Sequence, residues 1–156
     1  MQSSAAVSQQ IRITAIHEAA HAVAALRLGL VFDHVTAVPD DDAETDGALH
    51  WTDLQSAGDL EISAEVDAVV LLAGPFAEAR VLDSTLHEVL AGDAAGEDRE
   101  ALATLGLDDE QFVAASREAL ALIELEWTFI ERVAQALLER DTLDFAEVEA
   151  LLVART

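Results

Sequence analysis

The chain has 156 residues, enough for one compact domain with a sizeable core, and 52% of them are hydrophobic, which excludes global disorder. Thirty-one acidic residues face eight basic ones, all Arg, for a formal net charge of −23, a balance that repels nucleic acid and anionic lipid. There is no Cys, which excludes disulfides and thiolate metal sites and leaves His and carboxylates as the available metal ligands.

Met1 to Gln10 lacks the basic start and apolar stretch of a secretion signal. The most apolar run, Val66 to Ala77, carries Asp67 and is too short to span a bilayer. A soluble, cytoplasmic protein folded as a single domain over residues 1–156 is the expectation. The acidic surface permits a homo-oligomer, although no feature sets its symmetry.

Ser8 suits the N-cap of a first helix running to about Leu28, with Gly29 as its stop. Ile13, Ile16, Ala20, Val23 and Ala24 form its apolar stripe, and His17 and His21 lie on the adjoining face. The stretch His17-Glu18-Ala19-Ala20-His21 reads H-E-x-x-H. Residues four apart stand one turn apart on one helix face, so both imidazoles reach a single ion. The intervening acid then projects toward the ion's open position, where a water would sit.

Val31 to Pro39 is β-branched and roughly alternating, residues 40–47 form an acidic turn, and Ala48 to Asp53 alternates again. The pattern predicts a small hairpin. Either it covers the core, or its edge, with Leu49, His50 and Trp51, accepts an extended peptide as an added strand. His34 and His50 are read as surface groups or as outer partners of the site, and not as ligands.

From Asp59 a helix builds through Ile62, Val66, Val69, Val70 and Ala73, apolar almost all round from 68 to 77, as a central buried helix is. Gly74-Pro75 should kink or break it. Glu78 falls in this apolar context and needs a partner, whether Arg80, a metal, or a ligating His. Asp93, after Gly92, resembles an N-cap. Asp98 shares a face with the core-directed Leu102 and Leu105, and a zinc ion on His17 and His21 is a suitable partner for it. From Asp109 to Arg140 apolar residues recur at helical spacing, as one long helix or two abutting ones, and Asp141 or Thr142 caps a last helix with Phe145, Val148, Leu151 and Leu152. The fold class expected is mainly α (α+β), with a small β-hairpin beside the metal helix.

Order and spacing resemble the peptidase domain of the FtsH family of zinc metalloproteases over roughly residues 10 to 105. His17-Glu18-Ala19-Ala20-His21-Ala22 is similar to that family's H-E-A-G-H-A. Val35-Thr36-Ala37-Val38-Pro39 through Gly47-Ala48 resembles its V-T-I-x-P…G region, and Leu72-Ala73-Gly74-Pro75-Phe76-Ala77-Glu78 its L-G-G-R-A-A-E. Gly92 to Asp98 with Ala101, Ala103 and Thr104 resembles its G-A-x-x-D-…-A-T. The resemblance implies a zincin-type helical domain in which His17, His21 and Asp98 hold Zn2+ and Glu18 is the general base. Asp93 competes as third ligand, and Pro75 stands where the family has Arg. The family's ATP-dependent unfolding module and membrane helices have no counterpart in these residues. The implied activity is ATP-independent hydrolysis of peptides or unfolded segments. Two alternatives stay open, a zinc-holding module that binds a peptide or partner without turnover, and a helical domain without metal.

Overall fold

The computed structural model describes residues 4–37, 48–56, 63–92 and 96–153. In chain order these form α1 (Ser4–Arg27), β1 (Leu30–Thr36), β2 (Ala48–Ser56), α2 (Ala64–Leu82), α3 (Leu86–Ala91), α4 (Gly96–Thr104), α5 (Asp109–Leu125), α6 (Trp127–Arg140), β3 (Thr142–Asp144) and α7 (Phe145–Val153). The architecture is mainly α with one small antiparallel sheet, as the sequence leads one to expect.

Helix α1 starts at Ser4, a turn ahead of the anticipated cap at Ser8, and ends where expected, with Gly29 at a positive φ of 79°. Every residue from Ile13 to Ala25 is buried. Six of these are Ala at 0% exposure on several faces of the helix (Ala15, Ala19, Ala20, Ala22, Ala24 and Ala25), which lets neighbouring elements approach from all sides. The central position that the sequence assigns to α2 is therefore shared with α1.

Helix α2 begins behind Ser63, whose hydroxyl accepts the Val66 N–H at 3.2 Å. The expected start at Asp59 lies outside the described residues. The helix runs through Gly74-Pro75 without a break. Proline removes one i→i−4 bond, and burial of Leu72 to Pro75 by neighbouring helices offsets that loss. α3, not anticipated from the sequence, is a single short helix closed by a Thr85/Glu88 capping box. The stretch 109–140 is two helices, with Glu126 as the joint between α5 and α6.

The sheet has three strands in the order β2-β1-β3, both pairings antiparallel. The hairpin of β1 and β2 is thus extended by β3, which the sequence does not announce because it is three residues long. Its presence moves the last helix boundary. Asp141 precedes the strand and Thr142 opens it, and Asp144 caps α7, accepting the Glu147 N–H at 2.8 Å while the Glu147 carboxylate accepts the Asp144 N–H at 3.1 Å.

Two apolar clusters hold these layers. The larger joins α1, β1, α2, α5, α6, β3 and α7 through residues such as Ile16, Val23, Phe32, Ala73, Ile123, Ile130, Leu137, Leu143 and Val148. The smaller joins α2 to α5 through Ala68, Val69, Leu72, Ala115 and Ala119, with Leu102 and Leu105 packed against it. Leu102 and Leu105 therefore tie α4 down, as their spacing predicts, and α4 carries Asp98 to the side of α1.

Candidate metal centre

His17, Glu18 and His21 are all buried, at 8%, 7% and 6% exposure, in the middle of α1. Three ionisable groups this deep need partners. Those of the two imidazoles come from α2 and α4.

Each imidazole uses its two nitrogens for different purposes. His21 Nδ1–H donates to the Val70 carbonyl at 2.7 Å, and His17 Nδ1–H donates to Glu78 Oε2 at 2.9 Å. These bonds orient both rings and leave each Nε2 pointed the same way. Asp98 Oδ2 meets both, 2.8 Å from His17 Nε2 and 3.4 Å from His21 Nε2. The ring centroids are 4.8 Å apart with planes at 73°.

The donor atoms of His17, His21 and Asp98 lie within 4.8 Å of one another, a group able to hold a metal ion. Ligand atoms around a tetrahedral ion at metal distances of about 2.0–2.2 Å stand roughly 3.3–3.5 Å apart. The His21–Asp98 separation of 3.4 Å already has that value, while His17–Asp98 is a direct hydrogen bond that would open by about half an ångström around an ion. The chemistry of the donors agrees, since two imidazoles and a carboxylate suit zinc and the neighbouring divalent metals. A carboxylate and a backbone carbonyl behind the ligating imidazoles are the outer partners that metal-bound His requires.

Electrostatics describe what the same cluster does with protons. Burial opposes the charged form of His17, but the hydrogen bonds to Asp98 and Glu78 and the charge of Glu18 outweigh it and push its pKa up to about 10. Burial likewise opposes a charged His21, and the adjoining Asp98 carboxylate overcomes it and raises the pKa. Burial acts to raise the Asp98 pKa, yet the two imidazoles hold the carboxyl well below its ordinary range. The same carboxylates that favour protons on the imidazoles would favour a metal cation in the group, so protons and metal would compete there.

Of the three partners open to Glu78, the structure selects His17. Arg80 instead sits over the Trp127 ring, 4.5 Å from its centroid. His34 pairs with Asp33 at 2.7 Å on β1, and His50 is its cross-strand neighbour on β2. Asp93 lies outside the described residues. Leu49, His50 and Trp51 fall on β2, an edge strand that pairs with β1 alone among the described residues. Two contributors were not anticipated. The Val70 carbonyl is one, and no side-chain pattern reveals a backbone acceptor. Gly74 is the other, and its signal was a helix-weakening residue in the middle of an apolar helix.

No helix among the described residues is long and apolar enough to cross a membrane. No protein-family model matches the chain, and no curated protein matches it.

Proposed function

We propose that the chain is a zinc-dependent metallopeptidase, with His17, His21 and Asp98 as ligands and Glu18 as general base. The observation that carries this reading is the division of labour at the two imidazoles. Both Nδ1 atoms are committed to fixed acceptors, and both Nε2 atoms converge on the Asp98 carboxylate. Glu18 supports it as well, because its charge acts on both imidazoles from the same turn of α1.

Zinc, when bound, supplies a Lewis acid that polarises a carbonyl and acidifies a water. The chain's own residues do the rest. Glu78 and the Val70 carbonyl hold the rings in the tautomer that ligation needs. Glu18, in a largely water-excluded position, accepts a proton as water adds to the peptide carbonyl carbon. It passes that proton to the amine as the C–N bond breaks, so one water is consumed and a carboxylate and an amine are released. The substrate class is a peptide or an unfolded segment, and the side of β2 that pairs with no strand among the described residues suits an extended chain added as a further strand.

The test is hydrolysis of an unfolded protein by wild type and by Glu18→Gln, with bound zinc measured on both. Loss of a positioned base lowers turnover by about 10²–10⁴-fold. Zinc content should stay the same. Equal turnover in the two proteins removes Glu18 from the chemistry, and stoichiometric zinc without turnover in wild type makes the chain a binding module instead.

A further inference from the structure

The side of α2 that faces the imidazoles carries Val70, Gly74 and Glu78, each one turn after the last. Val70 offers its carbonyl to His21 and Glu78 its carboxylate to His17. Gly74, between them, offers no side chain. A Cβ placed on Gly74 falls 2.4 Å from His21 Nε2, 2.7 Å from His17 Nε2 and 2.7 Å from His21 Cε1. Ordinary nonbonded contact lies at roughly 3.5–4 Å, and a zinc–nitrogen bond at about 2.0–2.1 Å. A methyl group there would stand closer to both Nε2 atoms than real packing contacts allow, in the space toward which both ligand nitrogens point.

Local helix energetics make the residue harder to explain otherwise. Glycine inside a helix costs about 0.5–1 kcal/mol relative to alanine, and Pro75 beside it weakens the same turn. The neighbours Ala73 and Ala77 are fully buried with their methyl groups accommodated, so close helix packing alone does not demand that a Cβ be absent.

We propose that Gly74 is a positioning residue of the metal centre. Its missing side chain leaves the volume in which His17, His21 and Asp98 close on one cation, and a side chain at 74 shuts the centre. The inference rests on the metal-site reading above and adds the α2 backbone as its wall.

The experiment titrates wild type and Gly74→Ala with cobalt(II), whose visible absorption reports coordination, and with zinc in competition. Wild type should bind one equivalent, and Gly74→Ala should bind more than about 100-fold more weakly, beyond the loss caused by removing one outer partner. Melting temperatures of the metal-free proteins supply a second readout. Gly74→Ala should lower the melting temperature in the wild-type background. In a His17→Ala/His21→Ala background it should leave it unchanged or raise it, because the imidazoles that meet the methyl are gone. An equal loss in both backgrounds assigns the glycine to general helix packing and overturns the proposal, even if Gly74→Ala alone does not fold. Wild-type cobalt affinity in a folded Gly74→Ala overturns it too. Absence of a cobalt spectrum in wild type fails the metal reading itself, a different outcome.

Discussion

Helix α1 is buried between two unlike surroundings. Toward α6, the sheet and α7 it meets Ile130, Val133, Leu137 and Leu143, all at 1% exposure or less, in a dry interface of aliphatic side chains. Toward α2 and α4 it meets, beside the apolar Val70, Ala73 and Ala77 of α2, a carbonyl and two carboxylates arranged around a pair of imidazoles. The first interface is non-directional and depends on volume. The second is directional, and removing any one group leaves another buried polar group without its partner. One helix thus carries stability on one side and chemistry on the other, and the two sides should fail differently.

The largest separation is expected from His21→Ala. It should abolish stoichiometric metal binding, measured by metal analysis after dialysis, while the protein stays folded by circular dichroism. A variant that retains one equivalent of metal would contradict the ligand assignment. On the dry side, Leu137→Ala removes a fully buried side chain and should cost about 2–5 kcal/mol in denaturant unfolding. Metal affinity of the folded fraction should not change. Glu78→Gln is intermediate in kind, since it weakens an outer partner without removing a ligand, and it should lower metal affinity by about 10–100-fold. If it shifts stability and leaves affinity alone, Glu78 belongs to the packing side of the comparison.

The comparison also has a pH dependence, and it has opposite signs with and without metal. His17 has a folded pKa of about 10 against an ordinary 6.5, so its contribution to the metal-free protein is complete below about pH 6.5 and is lost as pH rises through about 10. Asp98, shifted down from 3.8, contributes above that value and loses its contribution as pH falls through its lower folded pKa. The metal-free chain should therefore draw most from this cluster between about pH 4 and 6.5. The metal needs deprotonated imidazoles, so its stabilisation should grow with rising pH. Melting temperatures with and without zinc should diverge above neutral pH, and parallel curves would count against ion and protons sharing one site.

Much of the directional side was legible in the sequence because its signals are local. The H-E-x-x-H spacing needs only a helix, and Asp98 stood out because it shares a face with Leu102 and Leu105. Glu78 was visible as an acid in an apolar run, but its partner was not, since the choice between Arg80 and His17 depends on how α2 crosses α1. The Val70 carbonyl had no sequence signal at all. On the dry side the long helices follow from periodicity, whereas β3 is too short to show any, and its pairing with β1 is what displaces the start of α7 to Phe145. The joint at Glu126 was equally hidden. Its carboxylate binds Arg27 at 2.8 Å, a long-range reason for the helix to restart there.

Asp98 reaches His17 across 81 positions of the chain. A cation shared by those two side chains would bind the folded chain, where they meet, and not the unfolded one, where they lie that far apart, so its binding free energy would add to folding. In a sequence without a single Cys, the ion would tie distant segments together reversibly, to a degree set by metal supply. A chelator would then act on this protein as a reductant acts on a disulfide-bonded one.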